Sequence, residues 1–221
     1  IDAVLSGRDT LAVMPTGAGK SLCYQIPALH LPGTTVVVSP LIALMKDQVE
    51  NLQRRGIKAA AIYTGMTREE ILLTLDNTVF EAYKFLYVSP ERLATKIFLE
   101  KIRQTRVCLI AVDESHCISQ WGYDFRPSYL RIADVREQLP GVPVLALTAT
   151  ATPEVVDDIQ LRLAFSEKNV FQKSFQRTNL SYVVRVTENK EEQLLNILTK
   201  VPGTSVVYVR NRKRTREIAD Y

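Results

Sequence analysis

With 221 residues, 46% of them apolar and 24% charged, the chain has the make-up of an ordinary soluble globular protein with room for a sizeable core. No apolar run approaches the ~20 residues that span a bilayer, and Cys23, Cys108 and Cys117 lack the CxxC spacing of a zinc ribbon or a disulfide framework. The net charge of +4 says little about partners, since residues 201–221 carry five basic side chains against Glu217 and Asp220 and so hold +3 of it.

Taken in chain order, strands are predicted at Thr10–Val13, Thr34–Ser39, Ala59–Tyr63, Phe85–Val88, Val107–Val112 and Val144–Thr148. Several are unbroken aliphatic runs, which need cover on both faces and so point to a parallel sheet between helices. Helices are predicted between them at Lys20–His30, Leu41–Arg55, Arg68–Asn77, Pro127–Gln138 and Pro153–Leu163. Thr67 with Glu70 forms a capping-box pattern, Thr152 is an N-cap before Pro153, and Gly56 is a C-cap candidate. The βαβ alternation implies an α/β doubly wound parallel sheet.

The texture changes around Ser174–Leu180. A strand (Tyr182–Val186), a helix (Lys190–Thr199), a strand (Ser205–Val209) and a helix start at Arg212 follow. Residues 1–175 are therefore expected to form one domain, and 176–221 a linker and the beginning of a second α/β unit.

Two segments carry chemistry. Met14-Pro15-Thr16-Gly17-Ala18-Gly19-Lys20-Ser21 lies between the first strand and the first helix. Glycines there let backbone N–H groups turn in on phosphate oxygens at a helix N-terminus. Thr16, Gly17, Ala18, Gly19, Lys20 and Ser21 are the expected nucleotide-binding residues, Lys20 meeting the β/γ-phosphates and Ser21 the Mg²⁺. Met14 stands where the P-loop pattern has its first glycine. Asp113-Glu114-Ser115-His116 follows the strand Val107–Val112, where carboxylates face the ligand crevice. Asp113 is the expected second Mg²⁺ ligand, and Glu114 is expected to position and deprotonate the attacking water, with Lys20, Asp113 and Glu114 as the catalytic set. The pair describes an ATP- and Mg²⁺-using NTPase.

Downstream, Trp121, Tyr123 and Phe125 alternate with small or charged residues and precede Arg126. Their residue types allow two readings, core aromatics or an exposed platform on which unpaired bases stack. No partner at metal-ligand spacing accompanies His116, which is read as a hinge between Glu114 and this loop. His30 is expected to be a cap or surface residue without function.

Asp113-Glu114-Ser115-His116 resembles the DExH box of superfamily-2 helicases. Ser39-Pro40-Leu41, Ser89-Pro90-Glu91-Arg92 and Leu147-Thr148-Ala149-Thr150 fall where that superfamily keeps motifs Ia, Ib and III. His116-Cys117-Ile118-Ser119-Gln120-Trp121-Gly122-Tyr123-Asp124-Phe125-Arg126-Pro127 is similar to the aromatic-rich loop of RecQ-family DNA helicases. Residues 15–25, 40–45 and Phe175–Tyr182 fit the same family, so the resemblance covers essentially the whole chain.

The resemblance implies a RecA-like domain of an ATP-dependent DNA helicase that moves 3′→5′ in repair and recombination. It implies DNA contact by Trp121, Phe125 and Arg126, and coupling through His116, Thr148 and Thr150. RecQ proteins typically carry histidine where this chain has Tyr123. Implied partners are single-stranded and duplex DNA and a second helicase domain in cis, with no membrane and an open oligomeric state. The expected location is the nucleoid-associated cytoplasm of a bacterium or the nucleus of a eukaryote. The glutamine segment that reads adenine would precede Ile1 and the arginine-finger motifs would follow Tyr221, so residues 1–221 alone are expected to bind ATP and hydrolyse it poorly. An RNA helicase of the same superfamily and a non-catalytic ATP-responsive DNA-binding module are the alternatives.

Overall fold

The computed structural model describes residues 1–80, 82–174 and 179–221. They fall into two compact units, Ile1–Phe175 and Gln176–Tyr221. The first unit is the expected doubly wound α/β fold. After a short helix α1 (Asp2–Leu5), β1 (Thr10–Val13) leads into α2 (Lys20–His30), then β2 (Thr34–Val38) into α3 (Ile42–Arg54). β3 (Ala59–Ile62), α4 (Arg68–Val79), β4 (Phe85–Val88), α5 (Lys96–Ile102) and β5 (Val107–Val112) follow. The unit closes with α6 (Arg131–Glu137), β6 (Val144–Thr148), α7 (Pro153–Arg162) and β7 (Val170–Gln172).

Every observed strand pairing is parallel, in the order β3-β4-β2-β5-β6-β1-β7. Alternate strand residues serve opposite faces. Leu11, Val13, Val36, Val38, Ile110 and Val112 meet α4–α7 through Leu75, Phe98, Ile132 and Ile159. Ala12, Val37, Leu109 and Ala111 meet α1–α3 through Val4, Tyr24 and Met45. Burial on both sides explains why these strands read as continuous aliphatic runs.

Local signals act as their chemistry demands. Glu70 N–H donates to Thr67 Oγ1 at 3.2 Å and Thr67 N–H to Glu70 Oε2 at 2.7 Å, a closed capping box. Gly56, at φ 75°, ends α3 in a Schellman turn: its N–H donates to the Gln53 carbonyl and that of Ile57 to Leu52. The predicted helix 127–138 is instead a 3₁₀ turn, Pro127–Leu130, leading into α6.

Two predicted strands are corrected. Tyr182–Val186 and Ser205–Val209 form no strand, because no ladder pairs them among the described residues. No described residue of 179–221 is buried, and Val184 and Val186 stand almost fully exposed, so β-branched composition there has no partner to act on. The two helices of that unit do form, α8 (Lys190–Lys200) and α9 (Arg212–Asp220). Of the segment 175–182, residues 175–178 lie outside the described residues.

Candidate functional site

The sequence-chosen residues sit on loops at the carboxyl ends of β1, β5 and β6, the side of an open α/β sheet where ligands bind. A cleft of about 370 Å³ is lined by Gly17, Gly19, Lys20, Ser21, Asp113 and Glu114, with Tyr24, Ser39, Met45, Gln48 and Tyr87 behind them. Gly17 (φ 80°) and Gly19 (φ 86°) adopt the left-handed conformation that a side chain resists. Gly19 is the N-cap of α2 and supplies no side-chain acceptor, so the helix end opens into the cleft. Met14 disturbs nothing: its N–H extends the β1–β6 ladder to the Thr148 carbonyl at 3.0 Å, and its side chain packs with the sheet core near Cys23.

Asp113 follows β5 directly, its N–H donating to the Val38 carbonyl at 2.9 Å. Tyr129 Oη donates to the Asp113 carbonyl at 2.9 Å and pins that strand end. Burial pushes the Asp113 carboxyl above its ordinary value, and the charge of Glu114 pushes the same way. A desolvated carboxylate with a second one beside it, facing Lys20 and Ser21, suits a divalent cation. The donor set therefore fits Mg²⁺. Glu114 itself stands at φ 46°, ψ 45°, a strained backbone for a residue with a Cβ.

A chain of side chains leads from Glu114 outward. His116, buried, has Nδ1 2.9 Å from Thr148 Oγ1 and 3.3 Å from Glu114 Oε2. Thr148 Oγ1 donates to the Thr150 carbonyl at 3.1 Å and accepts from the Thr150 N–H at 3.2 Å. Tyr123 stacks on His116 and reaches Thr150 Oγ1 at 3.5 Å. Beyond it Trp121 is 77% exposed, which rules out the core reading of that ring. Phe125 is half-buried. Arg126 is half-buried and occupied: it donates to Asp124 Oδ2 at 2.9 Å and to the Pro40 carbonyl at 3.4 Å. Gly122 has no room for a Cβ, which would lie 2.8 Å from the His116 carbonyl oxygen.

The 3₁₀ turn Ser115–Ile118 brings ligand atoms of His116, Cys117 and Asp124 within 4.8 Å of one another, a grouping that no residue spacing announces. It makes a poor cation site. Burial holds the Cys117 thiol protonated, pushed up to about 12, and Asp124 already carries the Arg126 guanidinium. His30 is exposed, its Nδ1 2.9 Å from the Ile26 carbonyl oxygen at the end of α2.

A glycine-rich loop at the start of α2, a carboxylate pair and an adjoining aromatic loop thus stand at one end of a doubly wound parallel sheet. The chain belongs to the DEAD/DEAH box helicase family, whose profile matches residues 1–159. Within it, the similarity is to RecQ helicases. The chain is 42% identical over 221 residues to ATP-dependent DNA helicase RecQ of Haemophilus influenzae, covering 100% of this chain and 36% of that protein. It is 46% identical over 213 residues to RecQ of Bacillus subtilis, covering 96% and 36%. The chain thus spans little more than a third of the length of these relatives. In fold it matches the Hef helicase domain of Pyrococcus furiosus, with TM-score 0.59, 22% identity, and 77% and 36% of the two chains covered.

Proposed function

We propose that the chain is the ATP-binding part of a DNA helicase that uses ATP and Mg²⁺ to translocate 3′→5′ on single-stranded DNA and separate duplexes in repair and recombination. One observation supports the motor reading above the others: the run of contacts from Glu114 through His116 and Tyr123 to the loop that exposes Trp121. The choice of DNA, the polarity and the biological setting rest on the similarity to RecQ helicases.

In this reading the backbone from Thr16 to Ser21 cradles the phosphates and Lys20 neutralises the β/γ oxygens. Ser21 and Asp113 hold Mg²⁺, which when bound neutralises charge on the transferring phosphoryl group. Glu114 takes the proton of the attacking water. Trp121 and Phe125 stack on unpaired bases, and Arg126 meets the strand once it leaves Asp124. His116, Thr148 and Thr150 carry a change in that loop back to Glu114. Residues 176–221 begin the second helicase domain, which contributes an arginine to the transition state. The protein then works where DNA is, in the nucleoid region of a bacterium or the nucleus of a eukaryote.

Strand separation by the full-length protein on 3′-tailed DNA and RNA duplexes of equal sequence tests the proposal. ATP-dependent opening of the DNA duplex, lost in Lys20→Ala, is expected. Preferential opening of RNA overturns the choice of nucleic acid. Opening that survives Lys20→Ala overturns the nucleotide site.

A further inference from the structure

Between α4 and α5, at the carboxyl end of β3, lies a cavity of about 420 Å³ that shares no residue with the nucleotide cleft. Ile62, Ile71, Leu75 and Phe98, all buried, give it an apolar wall. A space of this size and lining is typical of a small-molecule site. Two arginines, Arg68 and Arg92, also line it, and no carboxylate does.

The two cations come from different elements. Arg68 is the first residue of α4 and is exposed, with no hydrogen bond or ion pair among the described residues. Arg92 closes the 3₁₀ turn Pro90–Arg92 after β4, and its Nε–H is buried without an acceptor among the described residues. Thr95, the N-cap of α5, donates its hydroxyl to the Arg92 carbonyl at 2.8 Å and steadies that turn. Carboxylates of these elements are engaged elsewhere. Glu70 accepts the Thr67 N–H at 2.7 Å, Asp76 pairs with Lys101 at 2.6 Å, and Glu91 accepts from Ser128 Oγ at 3.3 Å. A buried guanidinium N–H with no acceptor calls for an anion. The apolar wall calls for hydrocarbon. A bare phosphate or a DNA backbone would use the arginines and leave that wall without a partner.

We propose that this cavity is a second ligand site, for a small amphiphilic carboxylate such as a medium-chain or aryl acid. The carboxylate takes the Arg92 Nε–H and a terminal N–H of the same guanidinium as a fork, and Arg68 adds its charge from α4. The hydrocarbon body lies against Ile62, Ile71, Leu75 and Phe98, out of water.

Calorimetric titration of the full-length protein tests this with octanoate, with octanol, which lacks the charge, and with acetate, which lacks the chain. Octanoate should bind about tenfold or more tighter than either. Its affinity should be the same with and without Mg²⁺–ADP, because the two sites share no residue. Arg92→Met keeps the length of the side chain but no donor. It should weaken octanoate about tenfold, to the level of octanol, and leave octanol as in wild type. Arg68→Gln, which removes an exposed charge, should weaken octanoate about two- to threefold. Octanoate that binds no tighter than octanol, or that binds Arg92→Met as well as wild type, overturns the inference. An Arg92→Met protein that melts lower while keeping its octanoate affinity gives the arginine a structural role instead, and overturns it too. Octanoate displaced by Mg²⁺–ADP sits in the nucleotide cleft, and no octanoate binding below its micelle concentration leaves no site; either result refutes the proposal.

Discussion

The imidazole of His116 lies flat against the phenol of Tyr123, ring centroids 4.9 Å apart and planes 21° apart. One residue of this pair faces Glu114 and Thr148; the other stands 80% exposed on the aromatic loop. A tyrosine at this position, in place of the histidine typical of RecQ proteins, keeps a flat face for stacking and adds a hydroxyl within 3.5 Å of Thr150 Oγ1. Tyr123→Ala in the full-length protein should cut the stimulation of ATPase by single-stranded DNA about two- to tenfold, the range of an aromatic pair. Tyr123→Phe should keep most of it, since 3.5 Å is the outer limit of a hydrogen bond. Equal losses in both variants would place the coupling in the hydroxyl and not in the ring.

Asp113 couples stability to pH. Its folded-state carboxyl value is raised by burial and by Glu114, so the ionised form costs stability in the nucleotide-free protein. That cost is absent below the ordinary carboxylate value, grows as pH climbs through the raised one and is complete above it. Asp113→Asn should therefore melt higher than wild type at neutral pH, with the gap closing as pH falls into the carboxylate range. Its Mg²⁺-dependent nucleotide affinity should fall at the same time. Thermal melts at a series of pH values check the sign, and a variant less stable than wild type at neutral pH would refute it.

Glu114→Gln separates binding from chemistry. The amide keeps the shape of the side chain but cannot accept the water proton, so hydrolysis by the full-length protein should drop about 10²–10⁴-fold with ATP affinity retained. Single-turnover kinetics beside calorimetry read both quantities. Near-normal turnover would remove Glu114 from the role of base.

Away from the cleft, Asp9 is the hub of the fold's edge. It is 4% exposed, pairs with Arg136 at 2.5 Å, and accepts from the Val144 N–H at 2.9 Å, joining the start of β1 to β6 and α6. Asp9→Ala takes the carboxylate from the guanidinium and an acceptor from a backbone donor, and should cost about 3 kcal/mol, at the lower end for a broken buried pair because Arg136 keeps its bond to the Leu163 carbonyl and some solvent contact. Denaturant unfolding of the two proteins measures it. A loss below about 1 kcal/mol would mean that water replaces the carboxylate freely.

How much of this was legible in the sequence depended on the distance over which each signal acts. The strands β1 to β6 were readable because a strand buried on both faces must be apolar throughout, as Val36-Val37-Val38 is. β7 escaped because Val170-Phe171-Gln172 is short and exposed, and borrows its order from β1. Tyr182–Val186 misled for the opposite reason, strand composition without a ladder. In the candidate site, residues 16–21 and 113–114 could be singled out by their local spacing, and the structure brings Gly17, Gly19, Lys20, Ser21, Asp113 and Glu114 of them to one cleft. The Tyr24–Tyr87 hydroxyl pair joins residues 63 apart, and the stacking of His116 on Tyr123 depends on a 3₁₀ turn that no periodicity announces. The carboxylate of Asp124 that occupies Arg126 was missed although it lies two residues away, because charge alternation in a loop does not say which way side chains turn.

The central claim, that an exposed aromatic loop drives the nucleotide site behind it, is tested most directly by Trp121→Ala in the full-length protein. Melting temperature, Mg²⁺–ATP affinity and DNA-stimulated ATPase should be measured on one preparation. With its ring 77% exposed, Trp121 contributes little to the core, so melting and nucleotide affinity should match wild type. Stimulation by single-stranded DNA should fall by about an order of magnitude or more, the worth of one lost base–aromatic stack. Full stimulation in a folded, ATP-binding Trp121→Ala protein would contradict the account.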